Sequence, residues 1–328
     1  MASDDEAAID RIIASQPANV GALIRKADFR VAAGDDKTAN AFYQAALKAS
    51  AANPGAVSAA ELGRAQEAVQ RLALRFQDYL ESSLAKAGFG PGSRPPRFAK
   101  AVDILMGRRA AQSELQNPRS FFYPDLPQRR YYENSEFGWA SELESRSAEI
   151  RDELLPLMER ADGFRPYLYS DPTRPPKHGL LDNPDWSSLT LWESGKEIPE
   201  NAQQCPLTMK ALEKVDLLKL DKRAPQIMFS KLAAGAAIEP HLGLLNIRLV
   251  CHLPLIVPEG CMFRVGGEDR QWHEGTLLTF DDSILHEAVN RGTRDRVVLI
   301  FEIWRPELSV EERSAVTALF DAVDSYGS

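Results

Sequence analysis

The chain has 328 residues, enough for one large domain or two of ordinary size. Its 44% hydrophobic and 26% charged residues exclude wholesale disorder, and a net charge of −8 argues against a protein held to nucleic acid by phosphate contacts. No run of about 18 apolar residues is present, so no membrane span is expected. The acidic start MASDDEAAIDRIIASQP lacks the basic and then apolar pattern of a signal peptide. Cys205, Cys251 and Cys261 cannot all pair and show no Cys-x-x-Cys spacing, which fits a reducing, cytoplasmic setting. Any histidine metal site must draw on His178, His241, His252, His273 and His286.

Residues 1–87 are rich in good helix formers, with Ala8, Ile9, Ile12 and Ile13 at helical spacing. Two helices are expected over 19–54, broken at Gly34-Asp35-Asp36. Ala27, Gly34, Tyr43, Ala46, Leu47 and Pro54 there resemble a tetratricopeptide unit, and a plain helical bundle fits them equally well. A helix over about 56–87 stops at Gly88-Phe89-Gly90-Pro91-Gly92, a run that marks a domain boundary. Residues 101–135 read as a helix followed by a loop rich in Pro, Tyr and Phe. Residues 139–161 read as one amphipathic helix kinked at Pro156. A loop over 167–185 and the segment 186–192 follow. From Gln226 to Trp304 the texture changes to short β-rich runs broken by Gly and Pro, and a last helix covers about 309–323. The expected class is α+β, with a helical domain at 1–90, a linker and helical or loop extension at 91–140, and an antiparallel sandwich or barrel with flanking helices at 141–328.

The segment 245–253, LNIRLVCHL, alternates an apolar face (Leu245, Ile247, Leu249, Cys251, Leu253) with one carrying Asn246, Arg248, Val250 and His252. The polar face belongs either to an ordinary surface strand or to a polar pocket inside a barrel, and the strand is too aliphatic overall for an exposed edge. His241 lies just before this strand. His286 lies 45 residues further on, and Arg296 opens the run VVLIFEIW ten residues after it. Two strand histidines with a basic residue about ten positions on is the layout of non-haem iron oxygenases that use 2-oxoglutarate. Neutral imidazoles bind Fe(II) and leave coordination positions open, while an arginine deeper in the barrel can grip a carboxylate with two hydrogen bonds. A chance pair of unrelated histidines would look the same by spacing alone.

A more specific resemblance covers about 150–308. It rests on Asp185-Trp186-Ser187 with Leu189-Thr190-Leu191-Trp192, Pro240-His241-Leu242-Gly243, Arg248 to His252-Leu253 and Pro258-Glu259-Gly260-Cys261. It continues through Trp272-His273-Glu274-Gly275, Phe280-Asp281-Asp282-Ser283, His286-Glu287 and Trp304-Arg305-Pro306-Glu307-Leu308. In these stretches the chain resembles the aspartyl/asparaginyl β-hydroxylase family. The resemblance implies a double-stranded β-helix (jelly-roll) fold, use of Fe(II), 2-oxoglutarate and O₂, and a helical-repeat segment upstream. It implies His241 and His286 as iron ligands, Ser230 and Arg296 for the distal carboxylate of 2-oxoglutarate, and His252 for its proximal carboxylate. Arg248 falls at a substrate-carboxylate arginine and Trp192 at a substrate-pocket aromatic. A second co-substrate arginine of the family is Val250 here.

Many such oxygenases carry a carboxylate two residues after the first histidine, where Gly243 stands, so water or Glu239 is left to complete the site. Asp281 and Asp282 are expected to support the ligands or form the turn that presents His286. A guanidinium buried beside a metal needs an anion, so Arg248 implies either a substrate carboxylate or carboxamide, or an internal salt bridge with Glu302 or Asp281. The implied reaction hydroxylates an unactivated carbon, the β-carbon of an aspartyl or asparaginyl residue in a peptide or protein. Alternatives are a small-molecule or lipid acyl substrate, a cupin-like dioxygenase needing no 2-oxoglutarate, and a helical-repeat adaptor with a degenerate oxygenase domain and a protein partner. Trp186 is expected to fill the core, His273 to sit on a surface strand, and His178 to lie in a surface loop.

Overall fold

The computed structural model describes residues 2–160, 163–167 and 183–327, with side chains from residue 6 onward. His178 and most of the 167–185 loop lie outside the described residues. The chain divides into two compact units, Met1–Arg94 with Ala318–Ser328, and Pro95–Thr317. Residues 95–140, expected as a linker and extension, group with the second unit, and the final 11 residues group with the helical one. Among the described residues no helix is long and apolar enough to cross a membrane.

The helical unit holds α1 (Ala2–Ser15), α2 (Val20–Ala32), α3 (Asp36–Ala52) and α4 (Ala59–Lys86). Its boundaries follow from local chemistry. The side chain of Asn19 accepts from the Ala22 amide, Asp35 accepts from Thr38, and Ser58 and Glu61 cap α4 reciprocally. Gly34 closes the α2–α3 hairpin at φ +77°, a conformation open to glycine. Ala27, Tyr43 and Ala46 are buried with Val20, Leu23, Ile24, Ala65 and Leu72. Packing between the helices buries all three.

The second unit carries α5 (Pro96–Leu105), β1 (Tyr131–Tyr132), α6 (Ala140–Ser145), α7 (Ser147–Met158), β2 (Arg165–Pro166), β3 (Trp186–Glu193), β4 (Lys196–Glu197), α8 (Pro199–Ala202) and α9 (Pro206–Leu212). Eight strands follow: β5 (Ile227–Leu232), β6 (Ala237–His241), β7 (Arg248–Ile256), β8 (Cys261–Val265), β9 (Glu268–Arg270), β10 (Leu278–Phe280), β11 (His286–Asn290) and β12 (Arg296–Trp304). The helix α10 (Val310–Ser325) closes the order. The single helix expected over 139–161 is two, separated at Arg146, and Pro156 lies inside the second.

The eight strands pair first with last and inward from there. β5 lies beside β12, β6 beside β11, β7 beside β10 and β8 beside β9, all antiparallel. This nesting is the jelly-roll pattern. It gives one sheet containing β10-β7-β12-β5, extended by β1 at one edge and β3 at the other, and a second sheet of order β6-β11-β8-β9. Along β7 and β12 of the larger sheet the side chains alternate between its two faces. Leu249, Cys251, Leu253, Val297, Leu299, Phe301 and Ile303 face an apolar layer with Leu143, Ile150, Leu154 and Leu157 of the helices. The opposite face of β7 and β12 presents Arg248, Val250, His252, Arg296, Ile300 and Glu302 to the interior between the sheets.

A buried polar knot holds the turn before β11. The Arg305 and Asp281 side chains are fully buried and pair at 2.7 Å. Asp281 also accepts from Gln116 Nε2 at 2.7 Å and from the amide and hydroxyl of Ser283 at 3.0 and 2.6 Å. Arg305 donates as well to the Pro127 carbonyl, at 2.7 Å, and to Tyr132. Asp281→Ala would leave the Arg305 cation buried and half-satisfied, so it should cost about 3–5 kcal/mol of unfolding free energy. Urea denaturation of the variant checks this, and a loss below about 1 kcal/mol would show that the pair does not hold the turn.

Candidate active site

Two imidazoles face each other across β6 and β11. His241 and His286 are register partners, and their ring centroids lie 4.1 Å apart. Each ring is oriented by its own backbone. His241 Nδ1 lies 2.8 Å from the Glu239 carbonyl and His286 Nδ1 lies 2.9 Å from the Ile284 carbonyl. A carbonyl only accepts, so each Nδ1 carries the proton and each Nε2 carries the lone pair. Burial pushes the His286 pKa down, which keeps it neutral and able to ligate. Both rings line a cavity of about 330 Å³, together with Ser230, Arg248, Val250, His252, Asp282, Arg296 and Glu302.

The inner end of this cavity is polar. Arg296 is 1% exposed, and its Nε and Nη1 atoms have no hydrogen-bond partner. Burial pushes its pKa down to about 10, and Trp272 lies under the guanidinium at 4.7 Å. Ser230 accepts from Trp186 Nε1 at 3.3 Å. His252 Nδ1 accepts from Trp272 Nε1 at 3.2 Å, and an indole N–H can only donate, so Nε2 of His252 carries its proton. Burial, with Arg296 and His286, pushes the His252 pKa well below 6.5, so this ring is a neutral donor.

The description "Aspartyl/Asparaginyl beta-hydroxylase" belongs to the family model that matches residues 144–306. Through this segment the chain belongs to the aspartyl/asparaginyl β-hydroxylase family. Over 171 residues it is 36% identical to the aspartyl/asparaginyl beta-hydroxylase of Mus musculus, covering 52% of this chain and 22% of that protein. Over 225 residues it is 32% identical to aspartate beta-hydroxylase domain-containing protein 2 of Mus musculus, covering 64% of this chain and 61% of that protein. Aspartate beta-hydroxylase domain-containing protein 1 of Homo sapiens is 31% identical over 218 residues, which cover 65% of this chain and 54% of that protein. The chain thus spans less than two thirds of each.

Within this family domain the cavity gathers His241, His286, Ser230, His252, Arg296 and Arg248, and it omits Trp192. A bulge between Thr190 and Trp192 breaks the alternation of β3. Trp186, before the bulge, lines the cavity with its ring 6.1 Å from His241, while Trp192, after it, packs against the apolar layer under the helices. Trp186 is buried in an apolar cluster, as expected, and lines the cavity as well, whereas Trp192 does not line it. The polar face of 245–253 forms the cavity wall from Arg248 onward, whereas Asn246 is buried elsewhere, bonded to Tyr123 and Gln116.

Arg248 also departs from its expected role as a surplus cation. It pairs with Asp282 at 2.6 Å and with Glu302, so the internal salt bridge, the alternative to a substrate carboxylate, is formed and supplies its anion. Glu239 is exposed and does not line the cavity. Among the described residues no third His, Cys, Asp or Glu completes a metal-ligating cluster. Gly243 has a steric reason to lack a side chain, because a Cβ there would stand 2.0 Å from Asp282 Oδ2. His273 is exposed in a loop outside the cavity.

The neutral His252 makes a pH prediction. Above pH 6.5 the ring is uncharged in both folded and unfolded chains and contributes no pH dependence. As the pH falls below 6.5 the unfolded chain takes up a proton that the folded one refuses, so stability is lost. One such group costs about 1 kcal/mol over the first pH unit below its unfolded pKa. His252→Asn should flatten the curve of unfolding free energy against pH by that amount, and an unchanged curve would show that the ring is protonated in the fold.

Proposed function

We propose that this protein is an Fe(II)- and 2-oxoglutarate-dependent hydroxylase that acts on an aspartyl or asparaginyl residue of a peptide or protein. The observation that carries this reading is an unpartnered, buried Arg296 behind two imidazoles whose Nε2 lone pairs belong to one cross-strand pair. A desolvated guanidinium with unmade hydrogen bonds calls for an anion, and the distal carboxylate of 2-oxoglutarate supplies one. The relatives named β-hydroxylases support the reaction class and an acceptor of the aspartate type.

His241 and His286 would hold Fe(II) through Nε2, and two protein ligands leave positions for co-substrate and O₂. Held there, Fe(II) would supply the activation of O₂ that couples decarboxylation of 2-oxoglutarate to hydroxylation of a C–H bond. Arg296 and Ser230 anchor the distal carboxylate. The Nε2–H of His252 donates to the proximal one. Val250, Phe263, Phe280 and Ile300 line the cavity with apolar surface that excludes water. Asp282, held by Arg248, fills the space that a carboxylate at residue 243 would need.

Purified protein supplied with Fe(II) should convert 2-oxoglutarate to succinate, and an acidic peptide should stimulate it. His241→Ala or His286→Ala should abolish both iron binding and turnover, because one imidazole cannot retain the metal. Retained turnover in either variant would sink the assignment. Arg296→Ala removes a charge-assisted, two-pronged contact worth roughly 2–4 kcal/mol, so the KM for 2-oxoglutarate should rise by roughly 30- to 800-fold. An unchanged KM would place the co-substrate elsewhere.

A further inference from the structure

The segment before the family-matched domain contributes a cation to the cavity. Residues 117–121 run beside the loop that follows His241. Asn117 N donates to the Ser283 carbonyl at 2.8 Å, Arg119 N to Gly243 at 3.0 Å, and Ser120 N and Phe121 N to Leu244 at 3.0 and 3.1 Å. Phe121 also forms a bridge with Leu245. The backbone of residue 119 is therefore fixed beside Gly243, two residues beyond His241, and Arg119 lines the same cavity as both histidines.

Among the described residues no carboxylate pairs with Arg119. The other charged groups lining the cavity are accounted for. Arg248 is held by Asp282 and Glu302, and Arg296 is buried and serves the co-substrate in the reading above. One cation remains, and it is exposed, where a group entering from solvent meets it first. If Fe(II) and the 2-oxoglutarate dianion cancel each other, the lining keeps a net single positive charge: Arg119, Arg248 and Arg296 against Asp282 and Glu302. That charge matches a substrate bearing one anionic group.

We propose that Arg119 is the substrate-carboxylate anchor of this site, receiving at the cavity rim the carboxylate of an aspartyl residue. The guanidinium fork matches a carboxylate with two parallel N–H···O bonds, which a carboxamide cannot accept equally. The inference rests on the hydroxylase reading. It assigns the preference for acid over amide to a residue outside 144–306.

The test uses two synthetic peptides of one sequence with no other acidic residue and amidated ends, one with aspartate at the acceptor position and one with asparagine. Their binding to full-length, Mn(II)-loaded protein with 2-oxoglutarate is measured by calorimetry, and turnover is measured with Fe(II). The wild type should favour the aspartyl peptide. Arg119→Gln should weaken that peptide by about tenfold and the asparaginyl peptide little, Arg119→Lys should recover part of the loss, and Arg119→Glu should invert the preference. The KM for 2-oxoglutarate and the succinate formed without peptide should not change. If Arg119→Gln binds the aspartyl peptide as the wild type does, or loses both peptides equally, the inference fails while the hydroxylase reading stands. A wild type that binds neither peptide and forms no succinate overturns both.

Discussion

The antiparallel register that sets His241 opposite His286 is the constraint on which the rest of the site depends. It brings two imidazoles to a 4.1 Å ring separation from positions 45 residues apart in the chain. The same local device fixes both rings, a backbone carbonyl two residues earlier accepting from Nδ1. Backbone carbonyls cannot change rotamer or protonation state, so the presentation of Nε2 is as rigid as the strands themselves. The turn leading into β11 is rigid in its own right, because Asp281 gathers Arg305, Gln116 and Ser283 around one buried carboxylate.

Charge is distributed with the same economy. Among the described residues of the jelly roll, Arg296 and Arg305 are buried and Arg248 is half-buried, and each of the three has a different degree of satisfaction. Arg305 is closed off by Asp281 and by carbonyl and hydroxyl acceptors. Arg248 is held between Asp282 and Glu302, and although burial works against its charge, the two carboxylates more than offset this and raise its pKa. Arg296 alone of the three keeps unmade hydrogen bonds. Desolvating a cation without a partner is unfavourable, so a fold retains such a group where a ligand completes it. The contrast between Arg248 and Arg296 therefore says more about the site than the presence of either residue.

The segment 95–140 has a larger part in this arrangement than a connector would. It supplies Gln116 and Tyr132 to the Asp281–Arg305 knot and a strand, β1, that pairs with β10. Tyr123 reaches Glu312 of the last helix, and Asn246 bonds to the Tyr123 backbone. Its composition of Pro, Tyr and Phe without periodicity reads as a loop. Nothing local in such a stretch records that its polar groups will be satisfied by residues more than a hundred positions away.

By itself, the sequence determined what depends on neighbours a few residues apart. The alternation that puts Arg248, Val250 and His252 on one face and the ordered motifs that resemble the family are short-range patterns, and they pointed to an α+β class and to six residues that line the cavity. Tertiary structure decided what depends on pairing and packing. A single extra residue in β3 turned Trp192 away from the face that Trp186 occupies, because a bulge reverses the side-chain alternation that follows it. The partners of Arg248 lie 34 and 54 residues away, so its charge could be seen in the sequence but not its neutralisation. Arg119, in a loop without periodicity, reaches the cavity only because its backbone is bonded to Gly243, and hydrogen bonds between distant loops leave no periodic trace in the chain.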